Sequence, residues 1–493
     1  MTQAFGRCLA ALALTATLGL AAACSSVVNP ATGETQYTSM TPEQERQIGQ
    51  QENRNVLAEY GGAYESSKVS SYVTGVGNRL AGVSDTPGAE FTFTVLNSSI
   101  VNAFALPGGY VYVSRGLLAL ANDEAELAGV LAHEIGHVTA RHTAQRYDRS
   151  QAASIGVLGA TILGAVLGGD MGAQVAQQLG GAGAQAYIQG YSRDQEFQAD
   201  ELGVRYLART DYDPVAMASF LTTLGRNDEL TRQEGQSEGP SWLASHPRTP
   251  DRVLRAAEEA EATSAGGEER NRERYLAAID GMVYGDDPSQ GIVRGREFVH
   301  PELRFAFTAP PGFTLINQPS QVAGTDGQGR VMIFDMGPNP NGLSPARYIT
   351  QEWAAQGNPQ DVESARIDGK PAARARVIVT ANGRQSEADI YAIQSGSNMY
   401  RFTFVAGGRM GGDTSRAFQE AATSFRTPSQ SEIGNARPQR IRIHTVRSGE
   451  TSSSLAQQMA VEDRKQETFE VINNLQPGTP VQAGQKVKLI VRG

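Results

Sequence analysis

The run His133, Glu134, Ile135, Gly136, His137 constrains this chain more than any other feature. Asp123 with Glu126 three positions on predicts a capping box, and Leu127, Val130, Leu131, Ile135 and Val138 recur at helical spacing, so the run is expected on a helix. Residues four apart share a helix face, and both imidazoles can therefore turn to one Zn²⁺ at about 2.0–2.1 Å. Glu134 lies roughly 100° further round, too far to be a ligand but within reach of a water on the ion. A helix surface with two solvated imidazoles is the alternative, and a third ligand would decide between them.

An extended pattern with a third His downstream fails, because position 140 is Ala and position 143 is Thr. His142, about 140° from His137 on an ideal helix, is expected to support a ligand rather than be one. Glu196 is the better third ligand. It lies four residues before Asp200 on a helix expected from about Arg193 to Leu207, so the two carboxylates share a face. One can bind zinc while Asp200 accepts the remaining N–H of a ligating His and fixes its tautomer. The expectation is one Zn²⁺ per chain in a His₂Glu site with an open position.

Three blocks carry a resemblance: Asn102 to Gly109 (NAFALPGG), Leu131 to His137 (LAHEIGH), and Ser192 to Asp200 (SRDQEFQAD). Ser245, His246, Pro247 and Arg252 add a fourth. Over residues 28–260 the chain resembles the bacterial M48 peptidases, which include periplasmic quality-control proteases. The resemblance implies zinc on His133, His137 and Glu196, with Glu134 as general base in peptide-bond hydrolysis. It implies that His246 stabilises the oxyanion or fills the fourth zinc position at rest, and that Arg252 is a transition-state or structural contact. Gly109, Tyr110, Val111 and Tyr112 alternate as a strand; as an edge strand they would pair with an extended polypeptide substrate, and as an internal strand they would not.

The first 23 residues read as an export signal, with Arg7 before an apolar stretch. Leu20 to Cys24 (LAAAC) resembles a bacterial lipobox, which implies a lipid on Cys24 and a periplasm-facing position at the outer membrane of a Gram-negative bacterium. An ordinary secretory signal cut near Ala23 is the alternative. Cys8 would leave with the signal, so no disulfide framework is expected. A net charge of −9 argues against nucleic acid as a partner.

The fold class expected is α+β. Residues 24–40 read as a tether, 41–290 as a mainly helical zinc-peptidase domain with a small sheet, 296–428 as an α+β domain without identifiable chemistry, and 429–440 as a linker. The Gly-rich segment 152–190 reads as close-packed filler or a lid. Residues 441–493 resemble a LysM module of βααβ order, carried by Thr445 to Thr451, Val471 to Leu475 and Ala483 to Leu489. That resemblance implies binding to peptidoglycan, although Glu450 stands where Asp is usual; a structural or protein-contact role is the alternative. The first reading of the whole is an endopeptidase acting on misfolded or misassembled envelope proteins. A wall-associated scaffold with a latent protease, or a peptidoglycan hydrolase, are the others.

Overall fold

A computed structural model describes residues 25–38, 40–152, 191–231, 242, 246, 250–263, 267–381 and 384–493. Cys24, the export signal and almost all of the Gly-rich segment lie outside the described residues.

The chain begins with a hairpin, β1 (Ser25–Val28) paired with β2 (Thr35–Thr38). The expected tether is therefore partly structured: Asn29 at its turn is buried and donates from Nδ2 to Thr139 O at 2.9 Å. Two helices follow, α1 (Pro42–Glu59) and α2 (Ser67–Val83). Thr41 caps α1 through a reciprocal capping box with Gln44, and Pro42 fills the first helical position, where a missing N–H costs nothing.

A three-stranded sheet follows in the order β3 (Thr92–Leu96), β5 (Tyr110–Ser114), β4 (Ala103–Leu106), with β3 parallel and β4 antiparallel to β5. The short helix α3 (Arg115–Leu120) leads into α4 (Glu124–Thr139), the helix of the His pair. Asp123 caps α4 by accepting from Glu126 N, but the Glu126 carboxylate accepts from Asn122 N, one residue beyond the position a capping box requires. Nor is α4 amphipathic in the expected way, since every residue from Glu124 to His137 is buried. Around it stand α5 (His142–Ala152), α6 (Arg193–Ala208), α7 (Ala216–Thr231), α8 (Pro250–Ala262) and α9 (Arg272–Ile279), followed by the short strand β6 (Val283–Tyr284).

The middle unit opens with the small antiparallel sheet β7 (Ile292–Arg294), β8 (Glu297–His300), β9 (Phe305–Thr308). A seven-stranded antiparallel sheet follows, built from β10 (Thr314–Gln318), β11 (Gln321–Thr325), β12 (Val331–Pro338), β13 (Gln360–Ile367), β14 (Lys370–Ala381), β15 (Arg384–Ser395) and β16 (Asn398–Val405), with β12 next to β16. One face packs on Phe418 and Phe425 through Phe334, Phe402 and Phe404. The other buries Trp353, Val377 and Ile390 against Val56, Tyr60, Leu106 and Tyr112 of the first unit. The expected linker holds a helix, Gln430–Asn435, capped by Ser429 and Glu432.

The last unit runs strand, helix, helix, strand: β17 (Gln439–Thr445), Ser452–Gln457, Lys465–Ile472 and β18 (Lys486–Arg492). It is not a separate body. Strand β17 pairs with β18 on one side and β6 on the other, and Ile441, Leu455, Phe469 and Leu489 share one continuous core with Leu127 and Leu131 of α4. No helix among the described residues is long and apolar enough to cross a membrane.

Candidate metal centre

Helices α4 and α6 supply the centre, and glycines let them approach. A Cβ on Gly136 would stand 3.1 Å from Ala199 O and 3.2 Å from Leu202 Cβ, and one on Gly203 would stand 3.3 Å from His133 N. At that closeness the i and i+4 faces of the two helices meet. Nε2 of His133 and Nε2 of His137 are 3.0 Å apart, and Glu196 Oε1 is 3.4 Å from His137 Nε2. His246, far along the chain, brings Nδ1 to 3.2 Å from His133 Nε2 and 2.9 Å from Glu196 Oε1.

All four side chains are buried, and each offers a ligand atom within 4.8 Å of the others. A tetrahedral ion with bonds of about 2.0–2.1 Å spaces its ligand atoms about 3.3–3.4 Å apart, close to these separations. Supporting bonds turn the correct atoms inward. His133 Nδ1 faces Asp200 Oδ1 at 2.9 Å, which leaves Nε2 as a lone pair. His142 Nε2–H donates to Gln198 Oε1 at 2.8 Å, so its Nδ1 accepts from His137 Nδ1–H at 3.0 Å and the His137 Nε2 lone pair is also free.

The charges suit a cation. Burial opposes ionisation of Glu196, but His246, the Arg252 guanidinium and hydrogen bonds from His137 and His246 outweigh it and hold the carboxyl well below the usual range. Burial pushes His137 well below the ordinary imidazole value and lowers His246, each against an upward pull from Glu196. Neutral imidazoles beside an ionised carboxylate are the protonation state in which such groups bind metal. The donor set fits zinc.

Glu134 stands beside this group without joining it. Trp242 Nε1 donates to its Oε1 at 3.2 Å, and its Oε2 has no hydrogen-bond partner among the described residues. Burial raises its carboxyl to about 7, with His133 and the Trp242 hydrogen bond acting in the opposite direction. Arg252 is buried and turned to carboxylates rather than to an open position: Nε and Nη2 bind both oxygens of Asp200 at 2.7 and 2.8 Å, and Nη1 reaches Glu196 Oε2 at 2.6 Å. In this geometry it orients the ligand carboxylate and its neighbour, a structural contact.

The strand expectation is corrected. Tyr110, Val111 and Tyr112 lie in β5, the central strand, with Gly109 just before it, and β5 has neighbours on both sides. The strand at the edge that contacts α4 is β4. Two residues of the site went unnoticed in the sequence. Trp242 stacks on His246 at 4.6 Å and Tyr191 stacks on His137 at 3.7 Å. Trp242 had a signal available, being four residues before His246, whose N–H donates to Trp242 O.

Residues 67–260 match Peptidase family M48. The chain is 33% identical over 196 residues to the beta-barrel assembly-enhancing protease of Yersinia pestis, a match covering 39% of each chain. It is 29% identical over 213 residues to the protease of that name from Escherichia coli, covering 42% of each. Over 233 residues it is 29% identical to the mitochondrial metalloendopeptidase OMA1 of Schizosaccharomyces pombe, covering 46% of this chain and 65% of that one. The chain thus spans about two-fifths of the length of the bacterial relatives it matches. The family whose model matches residues 67–260 is one of zinc-dependent metallopeptidases, and the matched segment holds a buried His and Glu group able to bind such an ion.

Proposed function

We propose that this chain is a zinc-dependent endopeptidase, tethered by a lipid on Cys24 and facing the periplasm, that hydrolyses misfolded or misassembled envelope proteins. The observation that carries the reading is the convergence of His133, His137 and Glu196 with Glu134 held beside them but outside the ligand group. A binding scaffold has no physical need for a carboxylate of pKa about 7 next to three metal-ligand atoms.

In that role bound zinc supplies Lewis acidity toward a peptide carbonyl and activates water. Glu134 accepts a proton from the attacking water and delivers it to the leaving amine, a task suited to a group that titrates near neutrality. Asp200 and Arg252 hold His133 and Glu196 in place. Substrate would lie extended along the free side of β4, which tolerates many sequences because the pairing uses backbone groups.

A latent enzyme is the second reading, and His246 favours it. It is fully buried against Trp242, with Nδ1 among the ligand atoms and Nε2 3.5 Å from Glu134 Oε1. A side chain there takes the place a substrate carbonyl would need.

The test compares zinc content and casein cleavage of the chain from Ser25 with those of Glu134→Gln. Zinc in both with cleavage only in the unmodified protein supports the peptidase, and zinc without cleavage supports the latent form. Absence of zinc from both would sink the metal site. Digestion of purified cell wall but not casein would replace the substrate class with peptidoglycan.

A further inference from the structure

The C-terminal unit carries a buried charge that no separate module would need. Lys488, on β18, is 0% exposed. Its Nζ donates to the carbonyl oxygens of Ala119 at 2.9 Å, Leu120 at 3.2 Å and Ala121 at 2.7 Å. These carbonyls end α3, where helix geometry leaves acceptors without intrahelical donors and the helix dipole is negative. An ammonium has three N–H groups, and here each has a carbonyl. Burial and Arg272 push the Lys488 pKa well down while Glu126 and Asp123 pull it up, and the three carbonyls favour the charged form, since a neutral amine has only two N–H groups to offer them.

The same strand holds the next residues of that loop. Arg272 donates from Nη1 to Asn122 O at 2.7 Å and from Nη2 to Lys486 O at 3.2 Å. The following residue is Asp123, the N-cap of α4, whose carboxylate Arg270 also grips. From Ala119 to Asn122, the entry to the helix that bears His133, Glu134 and His137 is thus tied to β18. Backbone bonds close the other side of the contact, Ile441 N to Met282 O and Gly281 N to Ile441 O.

We propose that the C-terminal unit is an intramolecular brace on the metal-bearing helix, and that Lys488 is the positioning residue through which it acts. A buried lysine in a strand is costly unless every donor is met, so a merely tethered unit would place an apolar residue or a solvated one there. The brace is independent of the peptidase reading; only its effect on turnover rests on that reading.

The test uses the whole chain from Ser25 with a specific protease site inserted after Gly434 on the exposed turn of the connecting helix. After cutting, the two pieces are expected to co-elute on size exclusion, and Lys488→Met is expected to abolish co-elution. Separation of the unmodified pieces, or co-elution undiminished by Lys488→Met, overturns the proposal. If Lys488→Met does not fold, Arg272→Gln, which removes the outer tie alone, is read by the same criterion. In the uncut chain, Lys488→Met is expected to keep its zinc and its KM while kcat falls; unchanged kcat with only a lower melting temperature would overturn the positioning role. Because co-elution and zinc content do not depend on cleavage, failure of the peptidase reading leaves the brace testable.

Discussion

Arg252 grips both oxygens of Asp200, and Asp200 in turn faces Nδ1 of His133 at 2.9 Å, so the His133 lone pair is aimed by a charge two side chains away. The same guanidinium neutralises Glu196. Replacing Asp200 with Asn keeps the shape but removes the negative partner of His133. Zinc affinity, measured by competition with a chelator, is expected to fall roughly 10–100-fold. An affinity equal to the unmodified chain would show that the carboxylate does not set the ligand's basicity.

Arg252→Gln leaves two buried carboxylates without their shared cation. Breaking a buried pair from one side costs about 3–5 kcal/mol, so metal-free protein should lose stability on that order in denaturant titration. Added zinc should recover part of the loss, because its charge replaces the missing one at Glu196.

Gly136→Ala places a methyl group against the backbone of α6, 3.1 Å from Ala199 O. Helix propensity alone would favour Ala, so a loss of stability of about 1–3 kcal/mol would identify the close helix approach as the cause. Zinc content is expected to fall with it, since His133 and His137 lie on one helix and Glu196 on the other. A gain in melting temperature with full zinc would refute this account.

His246→Ala vacates the position beside His133 Nε2 and removes the stacking partner of Trp242. Bound zinc should persist on the remaining three side chains while casein turnover rises. Turnover that falls with zinc retained would instead assign His246 to stabilising the reaction.

Glu59 offers a pH test remote from the metal. Burial raises its carboxyl from 4.5 to about 8, and Oε1 has no hydrogen-bond partner among the described residues. The folded chain therefore favours the neutral acid, and the stability this confers is fully present below about pH 4.5 and lost as pH rises through 8. Glu59→Gln should be indifferent at low pH and more stable than the unmodified chain at pH 8, by at least about 1 kcal/mol. Parallel melting curves across that range would contradict the burial argument.

What the sequence by itself determined is whatever one or two helical turns contain. His133 with His137, and Glu196 with Asp200, were legible because four residues of α-helix place two side chains on one face whatever surrounds them. The cap Asp123 was legible for the same reason: it accepts from a backbone N–H three residues on.

Only the tertiary structure decided relations between elements distant in the chain. Strand β5 alternates as an edge strand would, yet β3 and β4 flank it, and no periodicity within five residues reports how many neighbours a strand has. Tyr191 enters the centre by stacking on His137 of another segment, and Trp242 by reaching His133 and Glu134 of α4. Residues 441–493 show their own strand, helix, helix, strand pattern, and that pattern is silent on the apolar surface of α3, α4 and β6 that receives them. Lys488 looks like a surface residue of β18 until the end of α3 supplies three carbonyls for it. Burial is a property of two surfaces brought together, and local sequence specifies only one of them at a time.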